Sequence, residues 1–139
     1  MSGAEAIHSD GLVQGECTIN GVSLRVLYDS GATHSFISKN CVRQLKLPIS
    51  SMIGDLIVST PAGSSITTSL VCRDCHLLLE GQEFFVNLIC LPLSDLDVIL
   101  GMDWLSANHV MIDCPNKKLV FDSYNVEMTK DETRGSQGA

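Results

Sequence analysis

The triplet Asp29-Ser30-Gly31 places a carboxylate, a hydroxyl and a glycine side by side, directly after the predicted strand 22–28. An Asp at a strand end can be held rigidly, the hydroxyl can fix the loop by hydrogen bonding, and glycine lets a substrate backbone approach closely. This combination suits a hydrolytic site. Asp, Ser and Gly are also ordinary turn residues, so the triplet taken alone favours a simple turn that ends a strand.

A hydrolase based on carboxylates needs a second carboxylate beside Asp29. One ionised group takes a proton from water while one protonated group polarises the peptide carbonyl, and two carboxylates about 3 Å apart share a proton in this way. No other Asp in the sequence is followed by Ser-Gly or Thr-Gly. The partner must therefore come from another chain, and a two-fold homodimer brings two copies of Asp29 together.

The elements that must position Asp29 are predicted to be mostly β-strands, because β-branched residues dominate and Gly, Pro and Asn recur at short intervals. The first predicted hairpin joins 12–19 to 22–27 at Asn20-Gly21, two residues that tolerate positive φ. Ser38 is predicted to cap a short helix that ends before Pro48. Further predicted elements are a hairpin of 56–58 with the strand from Ile66, a hairpin of 71–79 with 83–91 that is buried on both faces, a buried strand at 97–101, a second short helix at 102–108, and a hairpin of 110–113 with 118–121.

The segment 27–37, LYDSGATHSFI, closely resembles the active-site segment of retropepsin-like aspartic proteases, in particular those of Ty3/gypsy-type retrotransposons of plants. The segment 98–105, VILGMDWL, is similar to the second signature of that family, and 58–64 occupies the place of its flap hairpin. The resemblance covers about residues 11–122. It implies a mostly β fold, a retropepsin-like closed β-barrel with a flap hairpin and one or two short helices, in a homodimer.

The resemblance also implies a role for each site residue. Asp29 activates the lytic water, Ser30 braces the two loops across the dimer axis, and Gly31 contacts the substrate backbone. Ala32 and Thr33 complete the active-site loop, with Ala32 lining the cleft. The remaining implied residues are the flap, Thr60, Pro61, Ala62, Gly63 and Ser64, and the residues packed behind the Asp29 loop, Ile99, Leu100 and Gly101.

One departure from the family pattern concerns Thr33 and His34. Viral relatives commonly carry acidic residues at these two positions, and those acids help to hold the substrate main chain. Subsite preferences are therefore not carried over to this sequence.

The function implied is an aspartic endopeptidase whose substrate is a polypeptide, in the family case a Gag-Pol polyprotein inside a virus-like particle. The alternative is a catalytically silent, domesticated retropepsin domain that acts as a dimerisation or peptide-binding module. Degeneration usually removes the Asp or crowds the glycine, and both Asp29 and Gly31 are present. A Ser-His-Asp type of hydrolase is disfavoured, because His8, His34 and His109 have no nucleophile in a recognisable context.

Charge and hydropathy exclude other classes of partner. The net charge of -7 repels phosphate backbones, so no nucleic acid partner is expected. The longest apolar stretch, 84–93, is interrupted by Asn87 and has about half the length needed to span a membrane. No membrane partner is expected, and the absence of a basic and then apolar N-terminal segment predicts a cytoplasmic location.

Six cysteines in 139 residues are too sparse for a secreted disulfide scaffold, so they are predicted to be reduced and mostly buried. The segment Cys72-Arg73-Asp74-Cys75-His76 has the spacing of a haem or metal motif, but it lies in an apolar β run without a second ligand pair. No cofactor and no metal are expected. The predicted organisation is a flexible flank at 1–10, the protease domain at 11–122 and a disordered tail at 123–139.

Overall fold

The computed structural model describes residues 3–6, 13–59, 64–113 and 115–121. Strands make up 61% of the structure, which confirms the prediction of a mostly β protein with few helices. The strands are β1 (Gly3–Ala6), β2 (Val13–Ile19), β3 (Val22–Tyr28), β4 (Phe36–Ser38), β5 (Ser50–Ser59), β6 (Ser65–Leu79), β7 (Gln82–Leu91), β8 (Val98–Leu100), β9 (Val110–Asp113) and β10 (Lys118–Phe121), and the helices are α1 (Lys39–Leu45) and α2 (Met102–Ala107).

Eight of these strands form one sheet in the order β1-β5-β6-β2-β3-β8-β4-β7. The strand β7, at one end of this order, also pairs with β6. The short strand β8 lies between β3, to which it is parallel, and β4, to which it is antiparallel. Strands that are distant in sequence therefore meet around the segment that follows β3, where Asp29 lies.

Two tight turns set the register of the long hairpins. Asn20 and Gly21 have φ of 52° and 79° and join β2 to β3, while Glu80 and Gly81 have φ of 53° and 78° and join β6 to β7. Positive φ at both central residues gives the turn whose twist matches that of the flanking strands. Both hairpins were predicted, and the structure confirms them.

The helix α1 begins and ends where its sequence signals predict. The Ser38 side chain accepts a hydrogen bond from the Cys41 backbone N–H at 3.0 Å, which satisfies one of the free donors of the first turn. Lys46 adopts the left-handed conformation and ends the helix. The helix thus follows β4 directly and begins ten residues after Asp29.

A small hydrophobic cluster lies under the Asp29 loop. Ala32 and Phe36 pack there with Leu56 and Val58 of β5, and all four side chains are buried. The cluster therefore connects the loop that carries Asp29 to the hairpin formed by β5 and β6. A larger cluster contains Trp104, which is 3% exposed, so Trp104 is a core residue.

Several features of the fold differ from the sequence predictions. The strands β1 and β4 were not predicted, and β5 begins at Ser50, six residues before the predicted strand. The prediction that both strands of the β6–β7 hairpin are buried on both faces is wrong, because buried and exposed residues alternate along most of β6. Alternation leaves one face of this hairpin in solvent, as antiparallel sheets permit.

The termini and the flap tip lie largely outside the described residues. This holds for the predicted disordered tail at 123–139, for most of the predicted flexible flank at 1–10, and for 60–63. The part of the flank that is described, Gly3–Ala6, pairs in parallel with Leu56–Ser59 of β5. Among the described residues, no helix is both long and apolar enough to cross a membrane.

Candidate active site

Asp29 follows β3 directly and is 1% exposed. Its backbone N–H donates to the Leu100 carbonyl oxygen at 2.9 Å, and its own carbonyl oxygen accepts from the Ala32 N–H at 3.2 Å. The carboxylate oxygen Oδ1 accepts from the Gly31 N–H at 2.9 Å. Backbone and side chain of Asp29 are therefore both fixed by the loop in which they lie.

The neighbours of Asp29 in the triplet face solvent, whereas the next residue does not. Ser30 and Gly31 are exposed in the isolated subunit, and Ala32 is fully buried. The exposed pair is thus available to a second subunit or to a ligand. Ala32 packs in the core of the subunit instead of lining an open cleft, which differs from the role that the resemblance implied.

The strand β8 supports the Asp29 loop from behind. Ile99 is opposite Leu27 of β3 on one side and opposite Phe36 of β4 on the other. Beyond the strand, the Met102 N–H donates to the Ala32 carbonyl oxygen at 2.7 Å. Ile99 and Leu100 are fully buried, so the structure brings them next to the loop, where the family resemblance placed them.

Gly101 has room for no side chain. A Cβ at this position would lie 2.7 Å from the Ala32 carbonyl oxygen and still closer to that of His34. Both neighbours are backbone atoms of the loop after Asp29 and cannot rotate away. The glycine therefore permits the close approach of the β8–α2 junction to this loop.

Ser35 and Asp103 link the same two segments through side chains. The Ser35 hydroxyl donates to Asp103 Oδ1 at 2.6 Å and accepts from the Gly101 N–H at 3.0 Å, while Asp103 Oδ1 also accepts from the Trp104 N–H at 2.7 Å. Sequence reasoning missed both residues. The available signal was weak: a Ser at the end of the active-site segment and an Asp in the first turn of a predicted helix.

Thr33 and His34 form a polar pair at the edge of the site. Thr33 Oγ1 lies 2.8 Å from His34 Nδ1, within hydrogen-bond distance. These are the two positions at which the sequence departs from the acidic pattern of viral relatives. The structure places the pair in the same loop as Asp29.

The predicted flap is a hairpin of β5 and β6. The strands pair up to Ser59 opposite Ser65, so the chain reverses between these two residues. The flap residues Thr60, Pro61, Ala62 and Gly63 lie outside the described residues, and Ser64 precedes β6. The long paired stem shows that a hairpin stands where the resemblance placed the flap.

The described cysteines are buried thiols in the core of the protein. The five described cysteines are buried and free of disulfides. A hydrogen bond with the Cys75 thiol holds the pKa of Cys72 below its ordinary value and raises the pKa of Cys75. Within the described residues, no group of three or more His, Cys, Asp or Glu side chains is arranged to hold a metal ion.

The structure therefore shows a buried carboxylate, Asp29, on a glycine-containing loop that hydrogen bonds hold in place. A family model described as retroviral aspartyl protease matches residues 1–127 of the 139-residue chain. The chain therefore belongs to the retroviral aspartyl protease family, which confirms the resemblance seen in the sequence. A search of curated proteins finds no significant match.

Two solved structures share the fold. The crystal structure of the retroviral protease-like domain of Ddi1 from Leishmania major has a TM-score of 0.58 and 21% identity, and the alignment covers 80% of this chain and 87% of that one. The EIAV protease complexed with the inhibitor HBY-793 has a TM-score of 0.55 and 18% identity, with coverages of 72% and 90%. At these identities the similarity establishes the fold.

Proposed function

We propose that the protein is an aspartic endopeptidase whose active site is formed by the Asp29 residues of two identical subunits. The observation that carries this proposal is the position of Asp29, buried on a loop whose backbone and carboxylate are both hydrogen-bonded. The sequence offers a single Asp-Ser-Gly triplet. Membership of the aspartyl protease family supports the reaction class.

In the proposed mechanism the two carboxylates share one proton. The ionised Asp29 removes a proton from a water molecule, which attacks the carbonyl carbon of the peptide bond. The protonated Asp29 of the other subunit donates a hydrogen bond to the carbonyl oxygen and stabilises the charge that develops there. Proton transfer to the leaving nitrogen then breaks the C–N bond and restores the shared proton.

The other site residues orient this reaction. Ser30 braces the two loops across the dimer axis, and Gly31 presents its backbone to the substrate; the exposure of both residues in one subunit supports these roles. Closure of the flap, Thr60–Ser64, over the peptide excludes water from the cleft. Ile99, Leu100 and Gly101 keep the loop in place from behind.

The proposed dimer consists of two closed β-barrels. Pairing of β7 with both β4 and β6 supports closure of the sheet. Exposed apolar side chains on the isolated subunit, among them Ile53 at 94%, Phe85 at 67% and Met111 at 70%, supply apolar area that association can cover. This assignment also accounts for a mean hydropathy of +0.21 in a chain with net charge -7.

The substrate in this proposal is a polyprotein of the Gag-Pol type, processed in the cytoplasm or inside a virus-like particle. High local concentration in a particle favours dimerisation, because a dimeric site is assembled by mass action. The resemblance of the active-site segment to Ty3/gypsy-type proteases supports this substrate.

The deciding experiment is cleavage of a peptide library by the wild-type protein and by Asp29→Asn, with products identified by mass spectrometry. The substitution removes the ionisable groups of the dyad, so we expect activity to fall about a thousandfold or more. Asp95→Asn, at an exposed position, is the matched control and should retain activity. Inhibition by a pepstatin-type compound is expected in addition.

Equal cleavage by Asp29→Asn and the wild type would refute the mechanism. The alternative function, a silent module for dimerisation or peptide binding, would be supported by a folded wild-type dimer that binds peptides and cleaves none of the library.

A further inference from the structure

A pocket of about 420 Å³ lies between α1 and the base of the β5–β6 hairpin, away from the Asp29 loop. Its volume is within the range of sites that hold small ligands or single side chains of a partner. No residue of the triplet or of the flap lines it. The lining residues are Lys39, Val42, Arg43, Lys46, Leu47, Ile49, Leu70 and Cys90.

The rim of this pocket is basic in an acidic protein. Lys39, Arg43 and Lys46 are three of the nine Lys and Arg residues of the chain, and no acidic residue lines the pocket. Within the described part of the chain, none of the three forms an ion pair. Arg43 does donate from Nη1 to Asn40 Oδ1 at 3.0 Å, a neutral partner that leaves its charge uncompensated.

Helix stability explains only part of this charge. Arg43 lies in the last turn of α1, where a cation is favoured by the helix dipole. Lys39 is the first residue of α1, where the dipole disfavours a cation. Helix stability therefore does not explain the positive charge at Lys39, whereas binding of an anionic partner does.

The floor of the pocket is apolar and open to solvent. Val42 and Cys90 are buried, whereas Ile49 is 45% exposed and Leu70 is 36% exposed. An apolar side chain that enters the pocket covers these two residues and gains hydrophobic free energy. The basic rim and the apolar floor of the pocket together fit an acidic peptide segment that carries one bulky apolar residue.

We propose that this pocket is an auxiliary docking site for acidic, apolar segments of the polypeptide substrate, outside the bond that is cleaved. Ile49 immediately precedes β5 and Leu70 belongs to β6, the two strands that form the proposed flap hairpin. A segment bound here contacts the stem of this hairpin. This inference rests on the proposed proteolytic function for its role in catalysis, but peptide binding at the pocket does not depend on it.

Binding is tested with the Asp29→Asn protein, so that no probe is cleaved. The probe is a fluorescein-labelled peptide, Glu-Glu-Leu-Glu-Glu, measured by fluorescence anisotropy. The comparison probes are Gln-Gln-Leu-Gln-Gln, which lacks the charge, and Glu-Glu-Gly-Glu-Glu, which lacks the apolar side chain. We expect the first probe to bind most tightly and its affinity to fall with added salt, because solvent-exposed charges are screened.

The double substitution Lys39→Gln/Lys46→Gln should weaken binding of the acidic probe about fivefold, since an exposed ion pair contributes only a fraction of a tenfold change in affinity. Arg25→Gln/Lys118→Gln removes the same charge from exposed positions on other strands and should leave binding unchanged. Thermal melting verifies that both variants fold. Equal weakening by the two double substitutions, or equal binding of the glutamine probe, would overturn the docking site.

The role in catalysis is tested with the same peptide library used for cleavage. Peptides cleaved by the wild type should be enriched in acidic residues outside the cleaved bond, and this enrichment should disappear with Lys39→Gln/Lys46→Gln but persist with Arg25→Gln/Lys118→Gln. Cleavage without any acidic enrichment overturns the docking role and leaves the proteolytic function intact. Absence of cleavage by the wild type refutes the proteolytic function instead, and binding of the acidic probe is judged separately.

Discussion

At the scale of single residues, Ser35 is the side chain whose hydrogen bonds hold the active-site loop against the β8–α2 junction. Its hydroxyl donates to Asp103 Oδ1 and accepts from the Gly101 N–H. Its backbone carbonyl oxygen accepts from the Ile89 N–H at 2.9 Å. Because Ser35 is fully buried, no water can readily replace the hydroxyl. We therefore predict that Ser35 positions Asp29 in the proposed active site.

Ser35→Ala should lower both stability and turnover. Removal of the hydroxyl leaves the buried Gly101 N–H and the Asp103 carboxylate without this partner, at a cost of about 1–3 kcal/mol in the free energy of unfolding. A small displacement of the Asp29 loop should lower kcat by about ten- to a hundredfold with little change in KM. Urea unfolding and steady-state kinetics measure the two effects.

Two further variants separate positioning from general destabilisation. Ser35→Thr keeps the hydroxyl and should recover most of kcat, whereas Ser94→Ala, at an exposed position, should change neither quantity. A Ser35→Ala enzyme with unaltered kcat would show that the hydrogen bonds of Ser35 contribute to folding alone.

The buried thiols predict a loss of stability in alkali. Burial, together with the charges of Asp97 and Cys41, raises the pKa of Cys17 from 9.0 to about 12. Above pH 9.0 the unfolded chain releases the thiol proton while the folded protein keeps it, so alkali favours unfolding. The contribution is fully present below that pH and is lost as the pH rises toward 12.

The free energy of unfolding should therefore fall by about 1.4 kcal/mol per pH unit for this thiol across the window. Urea titrations under reducing conditions between about pH 8 and pH 11 measure the slope. Cys17→Ala should be less stable at neutral pH but should show a shallower slope. A slope identical to that of the wild type would assign the alkaline loss to other groups, such as Tyr28, whose pKa burial also raises.

At the scale of elements, the contact between the β8–α2 junction and the Asp29 loop depends on Gly101. Gly101→Ala should destabilise the fold by about 3 kcal/mol or more, because the new methyl group meets fixed carbonyl oxygens. Gly15→Ala is the matched control: its Cβ would lie 3.2 Å from the Tyr28 ring, a side chain that can shift, so a cost of about 1 kcal/mol is expected. Thermal unfolding compares them, and equal stability of the two variants would contradict this account.

The elements also show which parts of the fold the sequence can predict. The helix α1 and the turns at Asn20-Gly21 and Glu80-Gly81 were predictable because each depends on residues adjacent in the chain, such as the cap at Ser38. The insertion of β8 between β3 and β4 depends on partners about seventy residues away.

The candidate site also contains one part that the sequence predicts and another that it does not. The Asp29 triplet was visible as a motif, because its chemistry is local. The Ser35–Asp103 hydrogen bond joins residues 68 positions apart and leaves no periodic trace in the sequence. The short strand β4 was hidden for a related reason: three residues carry too little pattern to distinguish a strand from a loop.

At the scale of the whole molecule, the proposed active site requires two subunits, since one chain contributes one Asp29. A mixed dimer of one wild-type and one Asp29→Asn subunit has a single ionisable carboxyl group at the axis and should be inactive. When wild-type protein is unfolded and refolded with a ninefold excess of Asp29→Asn, only about a tenth of the wild-type subunits find a wild-type partner if pairing is random. The activity per wild-type subunit should fall to about that fraction.

The control is the same ninefold excess of Asp95→Asn, whose own activity is expected to be normal, so that total activity reflects all subunits present. Sedimentation equilibrium verifies that both mixtures contain dimers to the same extent. Dilution should lower the specific activity of the wild type in parallel with its dimer fraction, because only the dimer carries the paired carboxylates. If wild-type activity persists undiminished beside the Asp29→Asn excess, a single subunit holds a complete site, and the second acid must then be sought within the same chain.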